Sequence, residues 1–200
     1  SKEGLGPGKK GLIYVRSEQV MKGYYKRPDL TEKIIDSEGW LNTGDLGLLT
    51  FDNEIKITGR AKDTIVLLGG ENIEPAVIES EICTSEYIES AIVLGQDQKY
   101  LGALIVPSRE NVLAYAKDKN LDTSDYEALL KTKEILELIG NQIKEKDSTE
   151  NGFRVCEKIW RFALLPNSFT VGKKLSAKQE MMRYKITEKY SEEIKGLFQN

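Results

Sequence analysis

Residues 39–75 read GWLNTGDLGLLTFDNEIKITGRAKDTIVLLGGENIEP, and the way this stretch is cut into strands and turns decides the fold. Three turns punctuate it: Thr43-Gly44-Asp45, Thr58-Gly59-Arg60 and Gly69-Gly70. Each adjoins an apolar, strand-like run. A glycine turn frees backbone N–H groups and lets a ligand approach closely, which is why function concentrates at such turns. A carboxylate and a guanidinium at neighbouring strand ends can together hold a polyhydroxy, anionic molecule. A nucleotide fits that description.

Working outward, residues 40–50 and 54–59 read as strands joined by the turn Phe51-Asp52-Asn53. Residues 1–11 are a Gly- and Lys-rich lead-in, 12–17 (LIYVRS) a further strand, and 30–35 a short amphipathic piece with Leu30, Ile34 and Ile35 on one side. Short strands with long connections make a barrel-like piece that falls short of a complete domain. Beyond Arg60 the pattern becomes α+β. Residues 63–68 read as a strand, and 74–83 as a helix with Pro75 at its first position and Val77, Ile78 and Ile82 turned inward. Residues 88–95 and 101–107 are apolar strands joined by the polar QDQKY turn. Helices follow at 109–119 and 124–146, the second opening on a Ser124-to-Glu127 capping box. Its residues Tyr126, Leu129, Leu130, Leu136, Ile139 and Ile143 form one apolar stripe, read as a packing face. A last strand at 158–165 precedes a terminal helix over 178–198, capped by Ser176 and Gln179, with Met182, Ile186, Tyr190 and Ile194 four apart. A helix layer against a small sheet is the architecture these elements imply.

Composition narrows the function. A chain of 200 residues with 40% hydrophobic and 30% charged residues can bury a core and suggests one or two soluble domains. The net charge of −3, with lysines scattered among a similar number of acids, gives no electrostatic reason to bind nucleic acid. With no histidine, Ser/His/Asp and Cys/His machinery and His-based metal sites are excluded within this chain. Cys83 and Cys156 stand far apart in apolar contexts, as buried reduced thiols do. No leader pattern is evident, and no apolar run approaches the ~20 residues of a membrane span.

The segments GYYKRPDLTEKIIDSEGWLNTGDLG and ITGRAKDTIVLLGGENIEPAVIE resemble the AMP-forming acyl-CoA synthetase superfamily, and most closely its long-chain fatty acyl-CoA ligases. The resemblance implies that Asp45 and Arg60 bind the ribose of ATP, that Lys62 is a hinge, and that Gly69, Gly70, Glu71 and Asn72 border the pantetheine channel of coenzyme A. Ile57 matches an adenine-contacting position and is equally readable as a plain strand residue. The family places a catalytic lysine near the C-terminus. Here, matching Leu175-Ser176 and Arg183 without gaps puts Glu180 at that position, and a one-turn adjustment brings in Lys178 or, second, Lys173.

The resemblance also implies that residues 1–60 end a large N-terminal domain and that 61–200 form a mobile α+β C-terminal domain with a helical insertion at about 109–150. The family's Gly-rich phosphate loop is not found, so the chain reads as a fragment of a fatty acid:CoA ligase, not active alone. Its substrates would be fatty acid, ATP and CoA, with Mg²⁺ held mainly by the N-terminal domain and no metal site here. A cytoplasmic location is expected, with peripheral membrane contact left open. Two alternatives stand: an adenylating enzyme that loads a carrier protein, and a non-catalytic nucleotide-binding regulator.

Overall fold

The computed structural model describes residues 4–169 and 183–199. The chain divides into two compact units, Ser1–Thr64 and Ile65–Asn200.

The first unit is a three-stranded antiparallel sheet in the order β1-β2-β3, with β1 at Lys10–Val15, β2 at Leu41–Leu49 and β3 at Ile55–Arg60. A short helix, α1 (Pro28–Ile34), starts on its proline and ends as Ile35 bridges to Leu41. Asn53 adopts φ 61°, the left-handed conformation that Asn tolerates, and this closes the β2–β3 turn. No apolar side chain of this unit is fully buried among the described residues; Phe51 is 85% exposed and Ile55 66%. A sheet this bare has little of the apolar burial that stabilises an isolated fold.

The second unit has mixed architecture, as the α+β reading expected. Its main sheet runs β6-β7-β8, from β6 (Ile88–Leu94), β7 (Leu101–Pro107) and β8 (Ile159–Leu164). The β6–β7 pair is antiparallel and β7–β8 is parallel, the parallel return requiring the long helical crossover between them. Every residue of β7 is buried, because helices cover both faces. Ala91, Val93, Leu101, Ala103 and Ile105 face α2 (Pro75–Ile82), α3 (Arg109–Asp118), α4 (Tyr126–Leu129) and α5 (Lys133–Lys146). Ile92, Leu104 and Val106 face α6 (Arg183–Lys189) and α7 (Ser191–Phe198).

Several elements differ from their sequence reading. The strand expected over 63–68 shrinks to β4 (Ile65–Val66), paired with β5 (Asn72–Ile73), while Ala61–Asp63 is a 3-10 turn. The backbone N–H groups of Val66 and Leu68 donate instead to Gln96 Oε1 and the Gln98 carbonyl, so the ladder ends early. The helix expected over 124–146 breaks in two. Asp125, not Ser124, caps α4, accepting from Ala128 N–H at 3.1 Å. Thr132 then donates its hydroxyl to the Leu129 carbonyl at 2.7 Å and starts α5 afresh. A threonine that bonds the preceding turn competes with the helix ladder. The stripe keeps Tyr126, Leu129, Leu130, Ile139 and Ile143 buried, but across the restart Ile135 is fully buried in place of Leu136, which is 40% exposed. In α2 the inward residues are Pro75, Ile78, Glu79 and Ile82, with Val77 40% exposed. The terminal helix is interrupted at Tyr190, and the Ser176–Gln179 cap and Met182 lie outside the described residues.

Candidate active site

In the first unit Asp45 and Arg60 are register partners across β2 and β3, and Arg60 Nε lies 2.9 Å from Asp45 Oδ1. The local sequence explains the arrangement. Gly44 sits at φ 74°, a conformation L residues rarely adopt, and an added Cβ there would meet nothing within 4 Å, so the requirement for glycine is conformational. The turn expected at Thr43-Gly44-Asp45 is instead a kink inside β2, held by its neighbours: Gly44 N–H donates to Asn42 Oδ1 and Asp45 N–H to Thr43 Oγ1, while the Thr43 hydroxyl donates to the Ile13 carbonyl. Asn42 and Thr43 therefore hold the kink, and the Asp45 carboxylate is directed at Arg60. The side chains keep 29% and 48% of their exposure, so both reach solvent.

A β-bulge follows directly. Leu46 pairs with Gly59 but Gly47 pairs with Ile57, leaving Thr58 without a register partner. Thr58 is 8% exposed and its hydroxyl has no hydrogen-bond partner among the described residues. Bulges re-aim side chains next to sites. Sequence reasoning passed over Thr58, and only the TGR turn could have hinted at it. Ile57, three residues before Arg60 on β3, is 66% exposed.

Lys62 is exposed within the 3-10 turn Ala61–Asp63, just before the division at Thr64. In the second unit Gly69-Gly70 turns β4 into β5. Gly70 has φ 87° and donates its N–H to the Leu67 carbonyl at 2.8 Å, while Leu67 N–H donates to the Glu71 carbonyl. The Glu71 carboxylate occupies the space a Gly69 side chain would need, and an added Cβ at Gly70 meets nothing within 4 Å. Glu71 also lines a groove of about 600 Å³ with Leu67, Lys99, Tyr100, Val155, Cys156 and Trp160. The Asn72 carbonyl accepts from Arg154 Nη2 at 3.0 Å, and Arg154 also pairs with Glu157. Lys178, Lys173 and Glu180 lie outside the described residues.

Glu79 and Asp147 are buried acids that sequence reasoning did not single out. Glu79 accepts from Val93 N–H at 2.7 Å and from Arg183 Nη2 at 2.6 Å, and Arg183 Nη1 donates to the Val93 carbonyl at 3.2 Å. Asp147, 3% exposed, accepts from Ile159 N–H at 2.7 Å at the start of β8. Burial pushes the Asp147 carboxyl above the usual carboxylate range, and the Ile159 hydrogen bond pulls the other way. Cys83 and Cys156 are both free thiols, and burial raises Cys83. Among the described residues no cluster of three or more His, Cys, Asp or Glu could hold a metal ion.

The model of the AMP-binding enzyme C-terminal domain matches residues 62–200, and the chain belongs to that family. It is 36% identical, over 97% of its length, to a probable chloroplastic acyl-activating enzyme of Arabidopsis thaliana, of which it spans 28%. It is 37% identical to a chloroplastic long-chain fatty-acid acyl-carrier-protein ligase of the same plant, spanning 26% of it. A putative fatty-acid CoA ligase of Mycobacterium tuberculosis is 33% identical over 97% of the chain and 35% of that protein. Among solved structures, the adenylation domain of a Mycobacterium chelonae carboxylate reductase superposes with a TM-score of 0.79 at 26% identity, over 94% of this chain and 28% of that one. The chain thus spans about a quarter to a third of the length of these relatives.

Proposed function

We propose that the chain is the carboxy-terminal portion of an ATP-dependent, AMP-forming fatty acid:CoA ligase. A fatty carboxylate attacks the α-phosphorus of ATP, pyrophosphate leaves, and the CoA thiol then attacks the acyl-AMP carbonyl with loss of AMP. The observation that carries this is the Asp45–Arg60 pair at 2.9 Å, directed from facing strands in a family of AMP-binding enzymes. In this reading the Asp45 carboxylate accepts from the ribose hydroxyls while Arg60 donates to them, and the exposed Ile57 lies against the adenine. So held, the α-phosphate is positioned toward the acyl carboxylate.

Residues 1–60 complete the large nucleotide-binding domain of the full-length protein, whose remainder covers the bare first sheet. Residues 61–200 form the domain that changes its face toward the site about Lys62, with α3 to α5 as the helical insertion. One orientation presents Lys178, with Lys173 as second candidate, to the charge that develops at the α-phosphate. The other presents the Gly69-Gly70 turn, with Glu71 and Asn72 at its rim, to the pantetheine arm. Mg²⁺ accompanying ATP would be held by the N-terminal domain. No helix among the described residues is long and apolar enough to cross a membrane. A cytoplasmic enzyme taking its fatty acid at a membrane surface suits these substrates.

A second reading replaces CoA with a carrier-protein thiol, and the 37% identity to the plant acyl-carrier-protein ligase favours keeping it. The test uses the full-length protein. Fatty-acid-dependent ATP–pyrophosphate exchange should appear, and supplied CoA should yield acyl-CoA. Exchange with acyl transfer to a carrier protein but none to CoA would select the second reading. Absence of exchange with any fatty acid would defeat both in favour of a non-catalytic regulator.

A further inference from the structure

We propose that Thr58 is a positioning residue for nucleotide binding: as the extra residue of a β-bulge, it sets the strand register that brings Arg60 opposite Asp45. This role rests on the ligase reading above, in which the two side chains hold the ribose. On one side of the bulge β2 and β3 keep a plain antiparallel register, with Gly47 opposite Ile57, Leu48 opposite Lys56 and Leu49 opposite Ile55. On the other side Leu46 opposes Gly59 and Asp45 opposes Arg60, so β3 contains one residue, Thr58, that β2 does not match. Continued unbroken, the first register would set Leu46 against Thr58, Asp45 against Gly59 and Gly44 against Arg60. A one-residue slip turns a side chain to the opposite face of a sheet. Arg60 would then point away from the face that bears Asp45, and the 2.9 Å contact of its Nε with Asp45 Oδ1 would be lost.

Two further observations place the device at this point of the sheet. Gly47, the β2 residue at which the register shifts, is buried, and an added Cβ there would meet the Lys56 carbonyl oxygen at 3.0 Å and Ile13 Cδ1 at 2.8 Å. The β3 backbone thus closes on β2 where the bulge begins, and a side chain at position 47 would force the strands apart. Thr58 is itself 8% exposed, with a hydroxyl that finds no partner among the described residues. A bulge gives up ladder pairing and a buried unpaired hydroxyl lowers stability, so neither feature serves the sheet. An unbroken ladder with an apolar residue in this place would hold β2 to β3 more firmly. What it would lose is the opposition of Asp45 and Arg60. Bulges recur next to sites because they re-aim a side chain, and here the side chain re-aimed is that of Arg60.

The test is a double-mutant cycle in the full-length protein between deletion of Thr58 and Asp45→Ala, read by titration calorimetry of AMP and by thermal melting. Deleting Thr58 should weaken AMP binding by roughly ten- to hundredfold, as far as Asp45→Ala does. On the Asp45→Ala background the deletion should cost no more than about twofold, because the pair that the bulge assembles is already gone. A merely structural role for Thr58 would weaken binding on both backgrounds alike, and such additivity overturns the proposal, as does wild-type affinity in the deletion variant. If the deletion variant does not fold, Gly47→Ala decides by the same cycle, since it crowds the bulge from β2 and leaves both members of the pair in place. A loss of about threefold or more that disappears with Asp45→Ala supports the proposal, and no loss or an equal loss on both backgrounds refutes it. Unchanged AMP affinity in Asp45→Ala itself would refute the ribose assignment of the ligase reading. Weakened affinity in Asp45→Ala with a silent deletion refutes only the role of the bulge.

Discussion

Replacing Asp45 with alanine separates the two things its carboxylate could be doing. As part of an ion pair with Arg60, with 29% and 48% of the side chains exposed, it is worth at most about 1 kcal/mol to folding, because solvent screens the pair. As the acceptor for ribose hydroxyls it makes charge-assisted hydrogen bonds, and losing these costs about 1.5–3 kcal/mol. At 1.4 kcal/mol per decade, that is roughly a ten- to hundredfold weakening of AMP binding. The Thr43 and Asn42 bonds that hold the kink do not involve the Asp45 carboxylate, so Asp45→Ala should leave it in place. The assay is titration calorimetry of AMP into the full-length protein, alongside thermal melting and pyrophosphate exchange. Affinity and exchange should fall together with a small change in melting temperature. Unchanged AMP affinity refutes the ribose assignment. A large drop in melting temperature with unchanged affinity would make the pair a strut between β2 and β3.

Gly70→Trp should abolish thioester formation from supplied acyl-AMP and spare pyrophosphate exchange. Gly70→Ala suffers the same φ penalty of about 1–2 kcal/mol without the bulk, so equal effects of the two would point to backbone strain and not a blocked channel. Lys62→Pro fixes φ near −65°, and is expected to leave one half-reaction working and stop the other. Uniform loss of both, measured as exchange and as acyl-AMP turnover, would remove Lys62 from the hinge. Asp147→Asn keeps an acceptor for Ile159 N–H and removes the buried charge. Because burial raises the folded-state pKa of Asp147, its linked stability is full below the unfolded pKa near 4 and is lost as pH rises through the folded value. The asparagine variant should therefore gain on wild type in urea unfolding free energy as pH rises from about 4 through the folded-state value, and a flat difference would show that Asp147 titrates normally.

What the sequence revealed and what it hid follow one physical line. Short-range chemistry was legible: Gly44 and Gly70 in the left-handed region, Pro75 opening α2, and β6 and β7 as apolar runs all follow from local preference. The Asp45–Arg60 pairing was expected from the family resemblance and not from local pattern: both TG pairs lie inside strands, and a bulge between Leu46 and Gly47 sets the register that opposes the two residues. Where a side chain competed with the backbone, local pattern failed. Thr132 took the Leu129 carbonyl and reset α5, and the 96–98 turn took the N–H groups that a longer β4 would have paired. Glu79 is the most instructive omission. In α2 the positions 75, 78, 79 and 82 have helical spacing for one buried stripe, and reading Val77 as inward hid the charge that the stripe contains. A carboxylate on an otherwise apolar stripe must find a cation and N–H donors in the fold, since an unpaired buried charge is too costly to keep. That requirement predicts a distant basic partner without saying which one, and only tertiary structure shows that it is Arg183, 104 residues along the chain, where α6 begins.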